Sequence, residues 1–94
     1  MITYKELVMK VAEKLNELYK AYYPNLTADD WKHEAGEILW YILQNGEAVP
    51  NDENATRFFI PSEYEEIFGA VGSIISYDEE DEHGNVLTVG YELD

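Results

Sequence analysis

The sequence predicts an α+β fold for the 94-residue chain, with two N-terminal helices packed on a small three-stranded antiparallel sheet. Two segments before residue 46 repeat apolar residues every three or four positions, which is the spacing of an amphipathic helix. Two segments after residue 72 alternate apolar and polar residues around His83-Gly84, which is typical of a β-hairpin. Since helices precede strands, we expect one domain over residues 1–94, with a helical pair at 1–46 and an acidic, β-rich half at 47–94.

The first helix is predicted to begin after Thr3 and to end near Tyr22–Tyr23, ahead of Pro24. Thr3 and Glu6 have the spacing of a capping box, in which each side chain bonds the backbone N–H of the other residue. Apolar residues at helical spacing then give the helix one buried face. They are Leu7, Val11, Leu15, Leu18 and Tyr22.

The second helix is predicted to begin with a capping box at Thr27 and Asp30 and to end in a left-handed cap at Asn45-Gly46. Its buried stripe is Trp31, Ala35, Ile38, Leu39 and Ile42. At about 100° per residue, Trp40 lies opposite this stripe. The favoured interpretation is that the hairpin covers Trp40; the alternative is that Trp40 is exposed as an anchor for a partner.

The region between the second helix and the hairpin is predicted to begin with a polar loop, Glu47 to Arg57. A short strand overlaps its end at Thr56–Ile60, where aromatic and β-branched residues follow one another. The Ser62-x-x-Glu65 pattern then predicts a short helix through Phe68, closed by Gly69. This helix connects the first strand of the predicted sheet to the hairpin.

The register of the hairpin determines which carboxylates share a face. A three-residue loop at 82–84 pairs Asp81 with Asn85 and collects apolar residues on one buried face. These are Ile75, Tyr77, Leu87, Val89 and Tyr91. A two-residue loop would place the apolar residues of the two strands on opposite faces, so the apolar pattern favours the first register. The outer face then carries Ser76, Asp78, Glu80 and Glu82 beside Val86, Thr88, Gly90 and Glu92, with alternate residues about 6.7 Å apart.

The net charge of −14 lies entirely in the C-terminal two-thirds of the chain. Residues 1–32 hold five acids and five lysines, whereas residues 33–94 hold fifteen acids and one base, Arg57. A small domain needs a net charge of only about 2–8 for solubility, and a larger charge opposes compactness by self-repulsion. The excess therefore favours a strongly basic protein partner. Direct nucleic-acid binding is disfavoured because it requires clustered Lys and Arg.

The sequence also contains parts of two metal-binding motifs, and neither motif is complete. His33 and Glu37 lie one helical turn apart, but the metalloprotease pattern needs a second histidine. The acidic run from Asp78 places His83 and Val89 where a calcium-binding EF-hand loop needs Gly and Glu. There is no cysteine, no phosphate-binding glycine loop and no run of about 20 apolar residues. We therefore expect no enzyme activity, cofactor, metal or membrane contact, and a cytoplasmic location.

In size, acidity and lack of catalytic machinery, the chain resembles the small phage-encoded inhibitors that mimic nucleic acid. Anti-CRISPR, anti-restriction and uracil-DNA glycosylase inhibitor proteins are of this kind. The resemblance covers the physical character of the whole chain, without a shared motif. It implies an inhibitor whose carboxylates take the place of phosphates on the basic nucleic-acid-binding surface of a target, in the host cytoplasm if the chain is phage-encoded.

The hairpin register selects the residues expected to contact the target. They are Asp78, Glu79, Glu80, Asp81, Glu82 and Glu92, with Glu63, Glu65 and Glu66 as a second patch and Trp40 as an aromatic anchor. Two other functions remain open: an immunity protein or antitoxin that neutralises a basic nuclease, and an adaptor module with an apolar or homodimeric contact at Trp40. Electrostatic binding should weaken steeply with salt, whereas apolar association should not.

Overall fold

A computed structural model describes residues 1–94 and confirms the α+β class, with a four-stranded antiparallel sheet in place of the predicted three strands. The elements are α1 (Tyr4–Leu18), a 3-10 turn (Ala28–Trp31), α2 (Lys32–Ile42), β1 (Glu47–Val49), β2 (Asp52–Phe59), a second 3-10 turn (Ser62–Tyr64), α3 (Glu65–Phe68), β3 (Ser73–Glu80) and β4 (Val86–Leu93). The strands lie in the order in which they follow along the chain, β1-β2-β3-β4. No helix has both the length and the apolar character needed to cross a membrane.

Helix α1 begins as predicted and ends earlier than predicted. The backbone N–H of Thr3 donates to Glu6 Oε1 at 3.1 Å, and that of Glu6 donates to Thr3 Oγ1 at 3.1 Å. The helix ends at Leu18, and Tyr22, expected in the core, is 78% exposed. Beyond Leu18 the chain continues in turns, in which the backbone N–H groups of Tyr22 and Tyr23 both donate to the Tyr19 carbonyl at 3.0 Å.

The capping residues predicted at Thr27 and Asp30 are confirmed, but they precede the 3-10 turn; α2 itself begins later, at Lys32, and its predicted end is also corrected. The Asp30 carboxylate accepts hydrogen bonds from the backbone N–H of Thr27 at 2.8 Å and from its hydroxyl at 3.1 Å. The left-handed cap at Asn45-Gly46 is wrong, because neither residue has a positive φ. Gly46 is needed for a different reason: a Cβ there would overlap the side chains of Thr56 and Phe58.

The segment predicted to be a polar loop forms strand β1 and the first half of strand β2. Val49 pairs with Asp52 across a Pro50-Asn51 turn, and Asn51 has a φ of 67°. Proline followed by a residue with positive φ is the pattern of a type II turn. The loop prediction fails because Asp, Asn and Pro are depleted in strands, and backbone pairing with a neighbouring strand overrides that weak preference.

The helix predicted at Ser62–Phe68 is confirmed as a 3-10 turn followed by α3. Gly69 closes it with a φ of 60°, and its backbone N–H donates to the carbonyl of Glu65 at 2.7 Å. The segment connects the end of β2 to the start of β3, as expected. The Ser62 side chain makes no capping bond, because the first helical turn begins after Pro61.

The helices pack on one face of the sheet around a core at Ile74, which is fully buried. Ile74 lies in β3 between Phe58 of β2 and Leu93 of β4. The helical residues of the core are Leu7, Val11, Ala12, Leu15, Ala35, Leu39 and Ile42. The opposite face, called here the open face, carries Arg57, Ile75, Tyr77, Glu92 and Asp94, and none of these belongs to the helix-packed core.

The hairpin follows the predicted register near its tip and a different register near its base. Asp81 N–H donates to the Asn85 carbonyl at 2.9 Å, and Glu79 pairs with Leu87. A β-bulge then leaves Val89 unpaired, so that Tyr77 pairs with Gly90. Below the bulge, Ser76 lies opposite Tyr91 and Ile75 opposite Glu92. The two registers weighed from the sequence therefore both occur in one hairpin.

The bulge overturns the predicted division of the hairpin into a buried and an outer face. An extra residue in one strand exchanges the faces of all residues beyond it. Tyr91 faces the helices beside Ile74 and Leu93, and Glu92 faces away from them, both as predicted. Ile75 and Tyr77, predicted on the buried face, lie instead on the open face with Glu92, and Ser76, predicted on the outer face, is buried. Leu87 and Val89, predicted to be buried, are 57% and 43% exposed, because the core lies at the other end of the hairpin.

Residues at the N-terminus hold the base of the hairpin in this register. Ile2 and Tyr91 exchange two backbone hydrogen bonds, each 2.8 Å long, which adds a bridge at the outer edge of β4. Gly90 is buried next to this bridge, and a Cβ there would overlap the side chain of Met1. The bulge therefore lies next to a position that requires glycine, because the Met1 side chain packs directly against the backbone there.

Candidate functional site

Seven carboxylates lie together at one end of the sheet, which we call the acidic end. Because Ala55 pairs with Tyr77, the start of β2 runs alongside the end of β3. The Pro50-Asn51 turn and the 81–85 turn therefore project from the same end. The acidic end consists of Asp52, Glu53, Asp78, Glu79, Glu80, Asp81 and Glu82.

Three carboxylates of the acidic end accept hydrogen bonds that organise the local backbone. Asp81 Oδ1 accepts from the backbone N–H groups of His83 and Asn85, both at 2.9 Å. Asp78 accepts from the Thr88 hydroxyl at 2.8 Å across the hairpin, and Asp52 accepts from the backbone N–H of Asn54 at 3.2 Å. The bonds from Asn85 and His83 lower the pKa of Asp81 below its ordinary 3.8, so the turn keeps its charged acceptor to a more acidic pH than a free aspartate would.

The other four carboxylates are exposed and carry uncompensated charge. They are Glu53, Glu79, Glu80 and Glu82. No lysine or arginine forms an ion pair with any member of the acidic end. The imidazole Nε2 of His83 lies 3.7 Å from Glu82 Oε1. The protein therefore offers these charges to solvent or to another molecule.

The basic side chains form their ion pairs elsewhere in the molecule. Lys14 pairs with Glu17 and Lys32 with Asp29 on the helical half. Arg57 donates to Asp94 Oδ2 at 3.2 Å on the open face. The separation of positive and negative charge in the sequence is therefore kept in the tertiary structure.

The structure does not bring all the predicted contact residues together. Glu92 lies on the open face, where its Oε2 accepts from the Tyr77 hydroxyl at 2.9 Å, and this bond raises the pKa of Tyr77. Glu63, Glu65 and Glu66 are exposed, but they precede Ser73, at the opposite end of β3 from the acidic end. Seven residues of strand span roughly 23 Å, so this second patch forms a separate surface.

The favoured prediction that the hairpin covers Trp40 is wrong, since Trp40 is 68% exposed. It lines a depression of about 1060 Å³, which we call the aromatic groove. Seven of the eleven lining residues are aromatic: Tyr19, Tyr22, Tyr23, Trp31, Trp40, Tyr41 and Tyr64. Ala35 and Leu39 face the core that α2 shares with α1, and Trp40 points away from that core, so the hairpin does not cover it.

Added salt is expected to raise the melting temperature of the protein. The unpaired carboxylates repel one another, and the Debye length falls from about 30 Å at 0.01 M to about 3 Å at 1 M salt. We expect a rise of about 4–8 °C over this range, which corresponds to roughly 1 kcal/mol for a domain of this size. Circular dichroism melts in NaCl would measure it. An unchanged melting temperature would show that the charges are already compensated within the fold.

No protein-family model, curated protein or solved structure matches the chain. The residues that bear on function are identified by their placement on the fold. Sequence reasoning missed Asp52 and Glu53, which reach the acidic end only through the β2–β3 pairing. The Pro50-Asn51 turn signal could have indicated a hairpin there, but nothing in the sequence specifies which strand lies beside it.

Proposed function

We propose that the protein is a non-catalytic inhibitor that binds the basic nucleic-acid-binding surface of a target protein as a nucleic-acid mimic. The observation that carries the proposal is the acidic end, where seven carboxylates gather without an ion pair to Lys or Arg. Such a surface attracts a basic partner over long range and raises its association rate. At close range, the carboxylates pair with the Arg and Lys side chains that normally hold phosphates.

The spacing of charge along β3 supports mimicry of a nucleic-acid strand. Asp78, Glu79 and Glu80 are consecutive strand residues, and a strand rises about 3.3 Å per residue. One strand of B-form DNA carries a charge about every 3.4 Å along its axis, so the carboxylates on one face of β3, about 6.7 Å apart, match every second charge of a DNA strand. Alternate side chains point to opposite faces, so the hairpin presents charge on both sides, as a duplex presents phosphates on both strands.

The hydrogen bonds of the acidic end support binding by reducing its entropic cost. Asp81 holds the 81–85 turn through three hydrogen bonds, and the Asp78–Thr88 bond joins β3 to β4. A pre-organised surface loses less conformational freedom when a partner binds. The exposed glutamates of the hairpin therefore lie on a backbone that the hydrogen bonds of Asp78 and Asp81 already order.

The proposed targets are nucleic-acid-binding proteins or nuclease complexes, and the proposed setting is the kind of inhibition that phages direct against CRISPR or restriction systems. The same surface would serve an immunity protein that blocks a basic nuclease toxin. The exposure of Trp40 favours a second candidate function, an adaptor that binds through the aromatic groove. Salt distinguishes the two kinds of contact, because ion pairing weakens steeply with ionic strength.

A pull-down with a defined competitor tests the proposal. The immobilised protein is exposed to host lysate, washed, and eluted either with a salt gradient or with double-stranded DNA. We expect nucleic-acid-binding proteins to be released between about 0.1 and 0.5 M salt and to be displaced by the DNA, because both compete for the same basic groove. Retention of proteins that DNA does not displace would contradict mimicry.

A further inference from the structure

The aromatic groove is a second surface, separate from the acidic end. It is bounded by the end of α1, by α2, and by the turn before α3, whereas the acidic end is formed by the tips of the two hairpins. Its volume of about 1060 Å³ is at the upper end of the roughly 300–1,000 Å³ that ligand pockets occupy. An exposed group of aromatic residues of this size on a small protein indicates a binding surface.

The rings of the groove are held by one another. Tyr19 stacks on Trp31 at 5.4 Å between ring centres, and Tyr23 meets Trp31 edge-on at 5.8 Å. Tyr41 and Tyr64 form a second edge-on pair at 6.0 Å. Trp40 and Tyr22 make no such ring contact and are 68% and 78% exposed, so these two rings are the most available to a partner, and Trp40 is the larger of them. The groove therefore combines rings that pack on one another with the exposed side chain of Trp40.

The charges at the groove identify the chemistry of its occupant. Glu34 and Glu37 line it, lie one helical turn apart on α2, and are exposed, and no lysine or arginine lines it. A cation placed between aromatic faces and carboxylates gains from both cation–π attraction and ion pairing. Arginine fits this arrangement better than lysine, because its planar guanidinium stacks on rings and pairs with carboxylates in two-pronged fashion.

We propose that the aromatic groove binds an arginine-bearing amphipathic segment of a partner protein. The arginine side chain packs on Trp40 and pairs with Glu34, or with Glu37 in place of the His33 Nε2 that lies 2.8 Å from Glu37 Oε1. Apolar side chains of the segment contact the tyrosines. A second copy of this chain does not fit, since its one arginine, Arg57, is paired with Asp94 on the open face. Two copies would also bring together net charges of −14 each.

Tryptophan fluorescence gives a local measurement of binding in the groove. The chain has two tryptophans, Trp31 and Trp40, and both line the groove. The probe is an 18-residue helical peptide of Leu, Ala and Arg, compared with matched peptides carrying Lys or Gln in place of Arg. At 0.15 M salt, we expect the Arg peptide to shift the tryptophan emission and to bind at least about 3-fold more tightly than the Lys peptide and 10-fold more tightly than the Gln peptide.

Three variants separate the groove from the acidic end. Trp40→Ala should weaken the Arg peptide about 10-fold or more when binding is followed by calorimetry, because tryptophans at interface centres dominate affinity. Glu34→Gln with Glu37→Gln should weaken it about 5-fold and reduce the preference over the Gln peptide. The matched control, Glu79→Gln with Glu80→Gln, removes the same charge from the acidic end and should change the peptide's affinity less than about 2-fold.

Several results would overturn this inference without touching the proposed function. Equal binding of the Arg and Gln peptides would show that the carboxylates do not select a cation. An unchanged affinity in Trp40→Ala, or no emission shift with any peptide, would place the cationic peptide outside the groove. A dimer in sedimentation experiments that Trp40→Ala dissociates would identify a second copy as the occupant. Loss of DNA-displaceable targets in the pull-down, in contrast, bears only on the acidic end.

Discussion

Neutralising three exposed carboxylates of the acidic end, in the variant Glu79→Gln, Glu80→Gln, Glu82→Gln, is expected to weaken binding to the basic target about 100-fold. Each carboxylate paired with a cation at an interface contributes about 1 kcal/mol, and every 1.4 kcal/mol is about a factor of ten. The three side chains are exposed and hold no backbone hydrogen bond, so their change leaves the hairpin intact. The target recovered by DNA displacement supplies the ligand for calorimetric titration.

The second acidic patch provides a control of equal charge. The variant Glu63→Gln, Glu65→Gln, Glu66→Gln also removes three negative charges, but at the opposite end of β3. We expect it to weaken binding no more than about 3-fold, through the loss of long-range attraction alone. Equal losses in both variants would show that binding depends on net charge and not on the arrangement of the acidic end. Affinity unchanged in both would contradict the proposed function.

The change Ile74→Ala is expected to reduce the free energy of unfolding by about 3–4 kcal/mol. Ile74 is fully buried at the centre of the core, between the sheet and the helices. Removing a buried Ile side chain costs about 2–5 kcal/mol, with the larger values where the surroundings cannot close the cavity. Contacts on both sides, from Phe58 and Leu93 as well as α1 and α2, favour the upper part of that range. Urea denaturation followed by circular dichroism measures the loss.

Its neighbour Ile75 is the matched control, since Ile75→Ala removes the same atoms from the open face. Ile75 is also buried, at 7% exposure, but side chains of the sheet cover it and no helix packs on it. We expect a loss at least about 1 kcal/mol smaller than for Ile74→Ala, because the exposed side chains around it can relax into the space. Equal losses would contradict the one-sided packing of the sheet.

Local signals in the sequence predicted the two long helices and the capping residues that precede them, although a 3-10 turn separates Thr27 from α2. The capping residues Thr3 and Thr27 lie within three positions of the groups they bond, so the pattern alone identifies them. The tip of the hairpin is equally local: Gly84, with a φ of 81°, allows the three-residue loop that pairs Asp81 with Asn85. The asymmetric distribution of charge also follows directly from the order of the residues along the chain.

The faces of the hairpin were predicted wrongly because a distant contact determines them. The bulge at Val89 depends on Ile2, which bonds Tyr91 from the other end of the chain, and on Met1, which packs where Gly90 lacks a side chain. The apolar pattern of the hairpin favoured the register of the tip throughout, whereas the base adopts the second register. Selecting between them requires knowing which strand residues meet the helices, and periodicity within one strand does not contain that information.

The candidate surfaces were likewise predictable only in part. The acidity of the C-terminal two-thirds, the order of two helices before a hairpin, and the position of Trp40 opposite the core stripe of α2 all follow from the order of the residues. Strand pairing and packing determine that Asp52 and Glu53 join the hairpin acids, that Glu63 and its neighbours do not, and that Trp40 faces solvent. Caps, turns and periodicity act over a few residues, whereas strand pairing and layer packing join residues far apart along the chain.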